Sequence, residues 1–227
     1  MKNEIKITVS KDGPYIVTGK VPLIEKITLV DKNGDPIKWK TGKQLSKRNC
    51  TLCRCGHSNN KPFCDSTHLK INFNGKEIEN KKYKDMALPT NGPELTLMDA
   101  KELCSNAGFC YRVGGTWNLT GNSNYKKSKK LAIQQACDCP SGRLVIYDKK
   151  SKKEIEPKFK PTIGIIEIPH KNLSGPIWVM GRIPIVSSNG KEYEIRNRVT
   201  LCRCGASKNK PFCDGAHVSI GFLDKKS

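Results

Sequence analysis

Cys202-Arg203-Cys204-Gly205-Ala206-Ser207-Lys208-Asn209-Lys210-Pro211-Phe212-Cys213-Asp214-Gly215-Ala216-His217 sets three thiols and one imidazole at the spacing C-x-C-x8-C-x3-H. The same spacing occurs earlier, in Cys53-Arg54-Cys55-Gly56 through Cys64 to His68. Each copy has a Lys-Pro-Phe-Cys-Asp run before its histidine. Thiolates and imidazole at fixed spacing are the donor set of zinc or of iron–sulfur centres, and spacing alone leaves both open. Gly56 and Gly205 permit a close backbone approach. Asp65 and Asp214 are placed to cap a short helix that carries the histidine.

The duplication reaches beyond the ligands. Gly175-Pro176-Ile177-Trp178-Val179-Met180-Gly181-Arg182-Ile183-Pro184 matches Gly13-Pro14-Tyr15-Ile16-Val17-Thr18-Gly19-Lys20-Val21-Pro22 at Gly, Pro, Val, Gly and Pro. The repeated unit is therefore a β-plus-metal module. Gly175 lies 162 residues after Gly13, but Cys202 only 149 after Cys53, so the first copy carries 13 extra residues in between. Alternating apolar residues predict strands over 4–9, 15–23, 26–30, 144–147 and 193–200. Thr96 with Asp99 reads as a capping box opening a helix through Leu97, Ala100, Leu103 and Cys104. A second helix is expected from about Ser128 to Ala136, ended by Cys139-Pro140. The lysine-rich stretch 76–91 reads as a surface linker. The expected layout is a module over 1–75, that linker, a cysteine region over 92–160 and a second module over 161–227.

The chain has 227 residues, 36% of them hydrophobic, too few for one thick core, and small metal-stapled modules fit better. Its net charge is +20, with lysines scattered rather than blocked, which favours an acidic protein partner over nucleic acid. Met1 to Lys6 lacks an apolar signal core, and no apolar run nears the roughly 18–20 residues of a membrane span. The expectation is a cytoplasmic protein of eleven cysteines, in which the spaced ones serve as metal ligands rather than as disulfides.

The motif resembles the CDGSH iron–sulfur motif of the mitoNEET family. That resemblance implies two 2Fe–2S clusters, one on Cys53, Cys55, Cys64 and His68, the other on Cys202, Cys204, Cys213 and His217. The first copy departs in Asp65-Ser66-Thr67-His68, where Ser66 replaces the glycine. His57, opposite Ala206 in the repeat, is expected to face solvent. In that family two chains exchange strands into one β-cap over two clusters. Here both modules lie in one chain, so the resemblance implies an α+β, mainly β fold. Its modules would pack as an intrachain pseudo-dimer in a monomer, with Ile16 and Val21 facing Trp178 and Ile183. The small helical insertion would sit to one side.

Cys104-x5-Cys110 has the outer spacing of a ferredoxin C-x2-C-x2-C loop, with Ala107 in place of the middle cysteine, and Cys139-Pro140 resembles its remote Cys-Pro. This resembles the divergent single-cluster ferredoxin-like regions found beside CDGSH modules. It implies a third cluster, 3Fe–4S on Cys104, Cys110 and Cys139, or 4Fe–4S if Cys137 joins. The plain alternative is a set of buried thiols. Cys50 and Trp117 read as packing residues, and Glu154 and Glu156 as a solvated hairpin. No catalytic constellation is evident. The expected role is electron transfer or cluster storage and transfer, with a redox or apo-acceptor protein as partner. The remaining alternatives are an electron-input subunit of an oxidoreductase and a zinc-stabilised binding module.

Overall fold

The fold starts from an antiparallel strand pair, whose turn holds Gly13-Pro14 in the first copy and Pro169–Lys171 in the second, where the expected Gly175-Pro176 turn lies inside a strand instead. In this computed structural model, which describes residues 4–46, 48–78 and 81–224, that pair recurs in both copies. The first copy contains β1 (Lys6–Val9), β2 (Tyr15–Thr18), β3 (Leu23–Val30), β4 (Pro36–Ser46), β5 (Cys50–Leu52) and the single-turn helix α1 (Thr67–Lys70). The middle region holds α2 (Tyr83–Met86), β6 (Leu88–Asn91), β7 (Leu95–Asp99), α3 (Thr116–Gly121), α4 (Lys126–Asp138), β8 (Leu144–Asp148) and β9 (Glu154–Ile155). The second copy contains β10 (Thr162–Ile168), β11 (Leu173–Met180), β12 (Ile185–Val186), β13 (Arg198–Leu201) and α5 (Ala216–Ser219). Met1 to Asn3, part of the stretch read for a targeting signal, lie outside the described residues.

The two copies exchange strands. One sheet has the order β12-β1-β2-β5 and another the order β13-β11-β10-β3-β4. The first sheet therefore takes β12 from the second copy, and the second sheet takes β3 and β4 from the first copy. β1 runs parallel to β12, with Ile7 opposite Ile185, and β3 runs parallel to β10, with Leu23 opposite Ile163. One core results, built from Ile7, Val9, Tyr15, Val17, Val21 and Leu52 of the first copy and Ile163, Ile177, Val179, Ile183 and Leu201 of the second. Neither copy alone could bury such a face, and sharing it removes apolar area from water at about 25 cal/mol per Å². The fold is α+β and mainly β, with its two modules paired inside one chain.

Several expectations are corrected. The shared face uses Tyr15 and Ile177 rather than Ile16 and Trp178, although Val21 and Ile183 are on it. Ile16 is 39% exposed, and Trp178 turns to the other side of its sheet, against Trp39 and Phe159. A strand's two-residue period makes a one-residue misreading invert every side chain. The 13 extra residues of the first copy accompany β4, which pairs antiparallel with β3. Strand 193–200 begins only at Arg198. The helix expected from Thr96 is the strand β7, paired between β6 and β8, with only a 3-10 turn at Lys101–Leu103. Leu95 and Leu97 alternate into the middle core with Leu119, Ala132, Ala136, Leu144 and Ile146, so sheet packing overrode the local capping signal. The stretch 76–91, outside its undescribed residues 79 and 80, is no plain linker. It carries α2, whose Tyr83 is buried and donates from its hydroxyl to the carbonyls of Met98 and Arg143, at 2.9 Å each.

Candidate metal centres

Each motif arrives on the last strand of its module, β5 or β13, and turns sharply at a glycine in the left-handed region, Gly56 or Gly205. Cys55 and Cys204 then pair with each other across the two copies, so the motifs adjoin. The eight-residue loop is tied by its aspartate. Asp65 accepts from the amides of Asn59 and Thr67, and Asp214 from those of Lys208 and Ala216. The residue in the helix-cap position is Ser66 or Gly215, both left-handed. Glycine adopts that conformation freely, whereas Ser66 takes it at a cost of about 1–2 kcal/mol.

The ligand candidates fall into pairs. Sγ atoms of Cys53 and Cys55 lie 3.7 Å apart, as do those of Cys202 and Cys204. Cys64 Sγ lies 3.5 Å from His68 Nδ1, and Cys213 Sγ 3.5 Å from His217 Nδ1. Two thiolates on one tetrahedral metal with bonds of about 2.3 Å would lie about 3.8 Å apart. Among the described residues, no three His, Cys, Asp or Glu side chains converge as a single metal ion would require. In each pair of thiols the first is pushed toward the thiolate by its neighbour's S–H and by backbone amides, those of Ser58 and Gly56 or of Ser207 and Gly205. The same amides favour the thiolate a metal needs.

The two sites differ in cover. Cys213 and His217 are buried, and burial holds the His217 imidazole neutral, its pKa lowered to about 4. His217 Nε2 is buried without a hydrogen-bond partner. Cys64 and His68 are only half-buried. The cover on the second site comes from the middle region. A Cβ on Gly215 would stand 3.1 Å from the Cys104 carbonyl oxygen, and the Asn209 side chain donates to the Glu102 carbonyl at 2.8 Å.

The middle cysteines divide. Cys104, Cys110 and Cys139 line one small pocket, together with Ala107 and Ser141. Burial and the neighbouring Cys139 push the Cys110 thiol up to about 12. Cys137, on α4, faces elsewhere, with its Sγ donating toward the Ile155 carbonyl at 3.7 Å. Its expected approach to the other three is not seen. A helix turns about 100° per residue, so Cys137 and Cys139 leave the end of α4 in different directions. Cys50 is half-buried on β5, packed against the shared core. His57 is exposed, with Nδ1 2.8 Å from the Cys55 carbonyl. Trp117 packs on the middle core and donates to Asp99 at 3.1 Å.

Sequence reasoning missed the arginines. Arg54 and Arg203, between the paired cysteines, are among the most buried side chains of the chain, and so is Arg198 on β13. Arg198 is held by Glu156, so the expected solvated hairpin supplies a part-buried counter-ion instead. The signal available was the repeated Cys-Arg-Cys, in which an alternating strand must turn the arginine away from the two thiols.

The family model for the iron-binding zinc finger of CDGSH type matches residues 12–69 and again 174–218. The model for the divergent 4Fe-4S mono-cluster matches residues 90–149. No curated protein and no solved structure matches the chain. Among the described residues, no helix is long and apolar enough to cross a membrane. Two CDGSH segments flanking a mono-cluster segment, in the order that the paired thiols and the middle pocket follow, give this chain the tandem CDGSH layout of an iron–sulfur protein, with a divergent 4Fe-4S mono-cluster segment between its motifs.

Proposed function

We propose that each Cys3His set holds a 2Fe–2S cluster, that Cys104, Cys110 and Cys139 hold a third, 3Fe–4S or 4Fe–4S, and that the protein works in electron transfer or in cluster storage and transfer. The observation that carries this reading is the pairing of ligand atoms at 3.7 and 3.5 Å without convergence on one point. Two two-ligand ends suit a binuclear cluster and disfavour a single zinc. Such clusters, when bound, supply one-electron carriers, and one imidazole in place of a thiolate raises their potential. Cys53 and Cys55 would hold one metal of the first site, with Cys64 and His68 Nδ1 holding the other. Cys202 and Cys204, then Cys213 and His217 Nδ1, would do the same in the second. Ala107, lining the middle pocket at the place of the absent cysteine, favours the 3Fe–4S form there. Contact between the middle region and the second motif favours electron transfer among sites of one unit. The half-buried first site and the net charge of +20 favour an acidic redox or acceptor protein docking there.

Protein purified without oxygen should contain iron and acid-labile sulfide and no zinc, with sulfide in slight excess if the middle cluster is 3Fe–4S and equal to iron if it is 4Fe–4S, and with paramagnetic resonance after reduction. Replacing Cys104, Cys110 and Cys139 together by Ser should remove the iron beyond that held by the two motifs. Cys137→Ser should leave iron content unchanged. Colourless, zinc-loaded protein would overturn the reading. The exchanged strands also lead us to expect a monomer, so light scattering should give a mass near 25.3 kDa. A stable dimer at low concentration would count against it.

A further inference from the structure

The two CDGSH arginines occupy equivalent places in unequal charge environments. Arg203 is fully enclosed. It donates to the carbonyls of Gly175 (2.6 Å) and Ile166 (3.0 Å), and it also meets two carboxylates, Glu167 at 2.9 Å and Asp224. Arg54 is equally enclosed but donates only to carbonyls, those of Ser10 (3.1 Å) and Gly75, and it lies beside the rings of Tyr15 and Phe73. Its Nε is buried without a partner, and among the described residues no carboxylate pairs with it.

The repeat shows what has changed. Val9 pairs with Tyr15 as Ile165 pairs with Ile177, so the carbonyl acceptors Ser10 and Ile166 correspond. The next residue is Lys11 in the first copy and Glu167 in the second. Asp224 lies 149 residues after Gly75, the offset of the motifs themselves. A lysine and a glycine thus stand where the second copy has two acids. Lys61 reaches the Asp224 backbone carbonyl at 3.5 Å, not either carboxylate.

Adding an electron adds one negative charge. A guanidinium in the motif that no carboxylate among the described residues pairs with directly, Asp12 being held by the Gly75 amide at 2.8 Å, favours that charge more than a guanidinium matched by two carboxylates does. Burial works in the same direction, because Cys213 and His217 are enclosed where Cys64 and His68 are half open. We propose that Glu167 and Asp224 hold the second CDGSH site at a lower reduction potential than the first, so that a half-reduced chain keeps its electron at the open first site, beside Arg54. This rests on the reading of both motifs as 2Fe–2S sites.

The test is a potentiometric titration of the full cluster-loaded chain, followed by visible absorbance and paramagnetic resonance. His68→Cys and His217→Cys assign the waves, since an added thiolate lowers the potential of its own site. The expected result is that His68→Cys moves the upper CDGSH wave and His217→Cys the lower. Glu167→Gln and Asp224→Asn should each raise the lower wave toward the upper. Lys11→Glu, an exposed change that leaves the buried pairs intact, should lower the upper wave. If the clusters are present but the waves coincide, are assigned in reverse order, or ignore all three charge changes, the proposal fails while the 2Fe–2S reading stands. If no 2Fe–2S signal appears at all, the reading itself fails.

Discussion

Arg198→Met should lower the free energy of unfolding by about 3–5 kcal/mol, the usual loss when one partner of a buried ion pair is removed. Arg198 is 1% exposed. It donates to both carboxylate oxygens of Glu156, at 2.6 and 2.9 Å, and to the carbonyls of Ala136, Cys139 and Leu144. Ala136 and Cys139 belong to the end of α4, where the regular ladder stops and the Cys139 amide (3.2 Å) and Gly142 amide (3.3 Å) bond these two carbonyls beside the guanidinium. One guanidinium on β13 therefore closes that helix, anchors the Cys139 backbone and ties the middle region to the second module. Methionine keeps much of the stem volume but leaves the Glu156 carboxylate, still bonded by the Asn197 side chain, without its counter-ion, and takes one donor from each of three carbonyls. The urea midpoint should fall with little change in slope, and iron should be lost first from the middle site. Adding Glu156→Gln should recover part of the loss, because the stranded charge is gone. A midpoint within experimental error of the parent would show that Arg198 does not hold the two regions together.

The site was far more legible than the frame around it. Ligation by three thiols and an imidazole depends on residue type and local spacing, and both are written directly in Cys202 to His217 and in its earlier copy. The duplication, read with the known strand exchange of the resembled family, also pointed to one shared core. Which residues face that core was misread by one position at Ile16 and Trp178, because β2 and β11 are apolar on both sides. Ile16 escapes to solvent, while Trp178 is covered by Trp39 from the strand peculiar to the first copy. β7 was read as a helix because Thr96 and Asp99 imitate a capping box. The pairing partners that make it a strand, β6 and β8, lie on both sides of it, one of them beyond α3 and α4. The role of Cys137 needed the direction of α4's last turn. The buried arginines needed partners between 21 and 62 residues away, such as Asp224 for Arg203 and Ala136 for Arg198. No local pattern carries that information.

Gly205→Ala should disturb both CDGSH sites at once. Gly205 has φ near +81°, and a Cβ there would stand 2.4 Å from the Cys55 carbonyl oxygen of the other motif. Gly56 makes the reciprocal approach, 2.4 Å from the Cys204 carbonyl. These two contacts flank the Cys55–Cys204 bridge where the copies meet. An alanine costs about 1–2 kcal/mol for the left-handed conformation alone. It must also push one motif's backbone off the other, which brings the expected loss to about 3 kcal/mol or more. Gly190 separates the two effects. Its φ is near +84° but a Cβ there meets nothing within 4 Å, so Gly190→Ala should show the conformational cost only. Urea unfolding of both variants reads the difference, and the rate of absorbance loss reads the sites. Because Cys55 belongs to the first candidate ligand set and Cys204 to the second, Gly205→Ala should speed cluster loss from both, although it lies in one motif. If Gly205→Ala costs no more than Gly190→Ala, or if only the second site is weakened, the two motifs do not support each other through this contact.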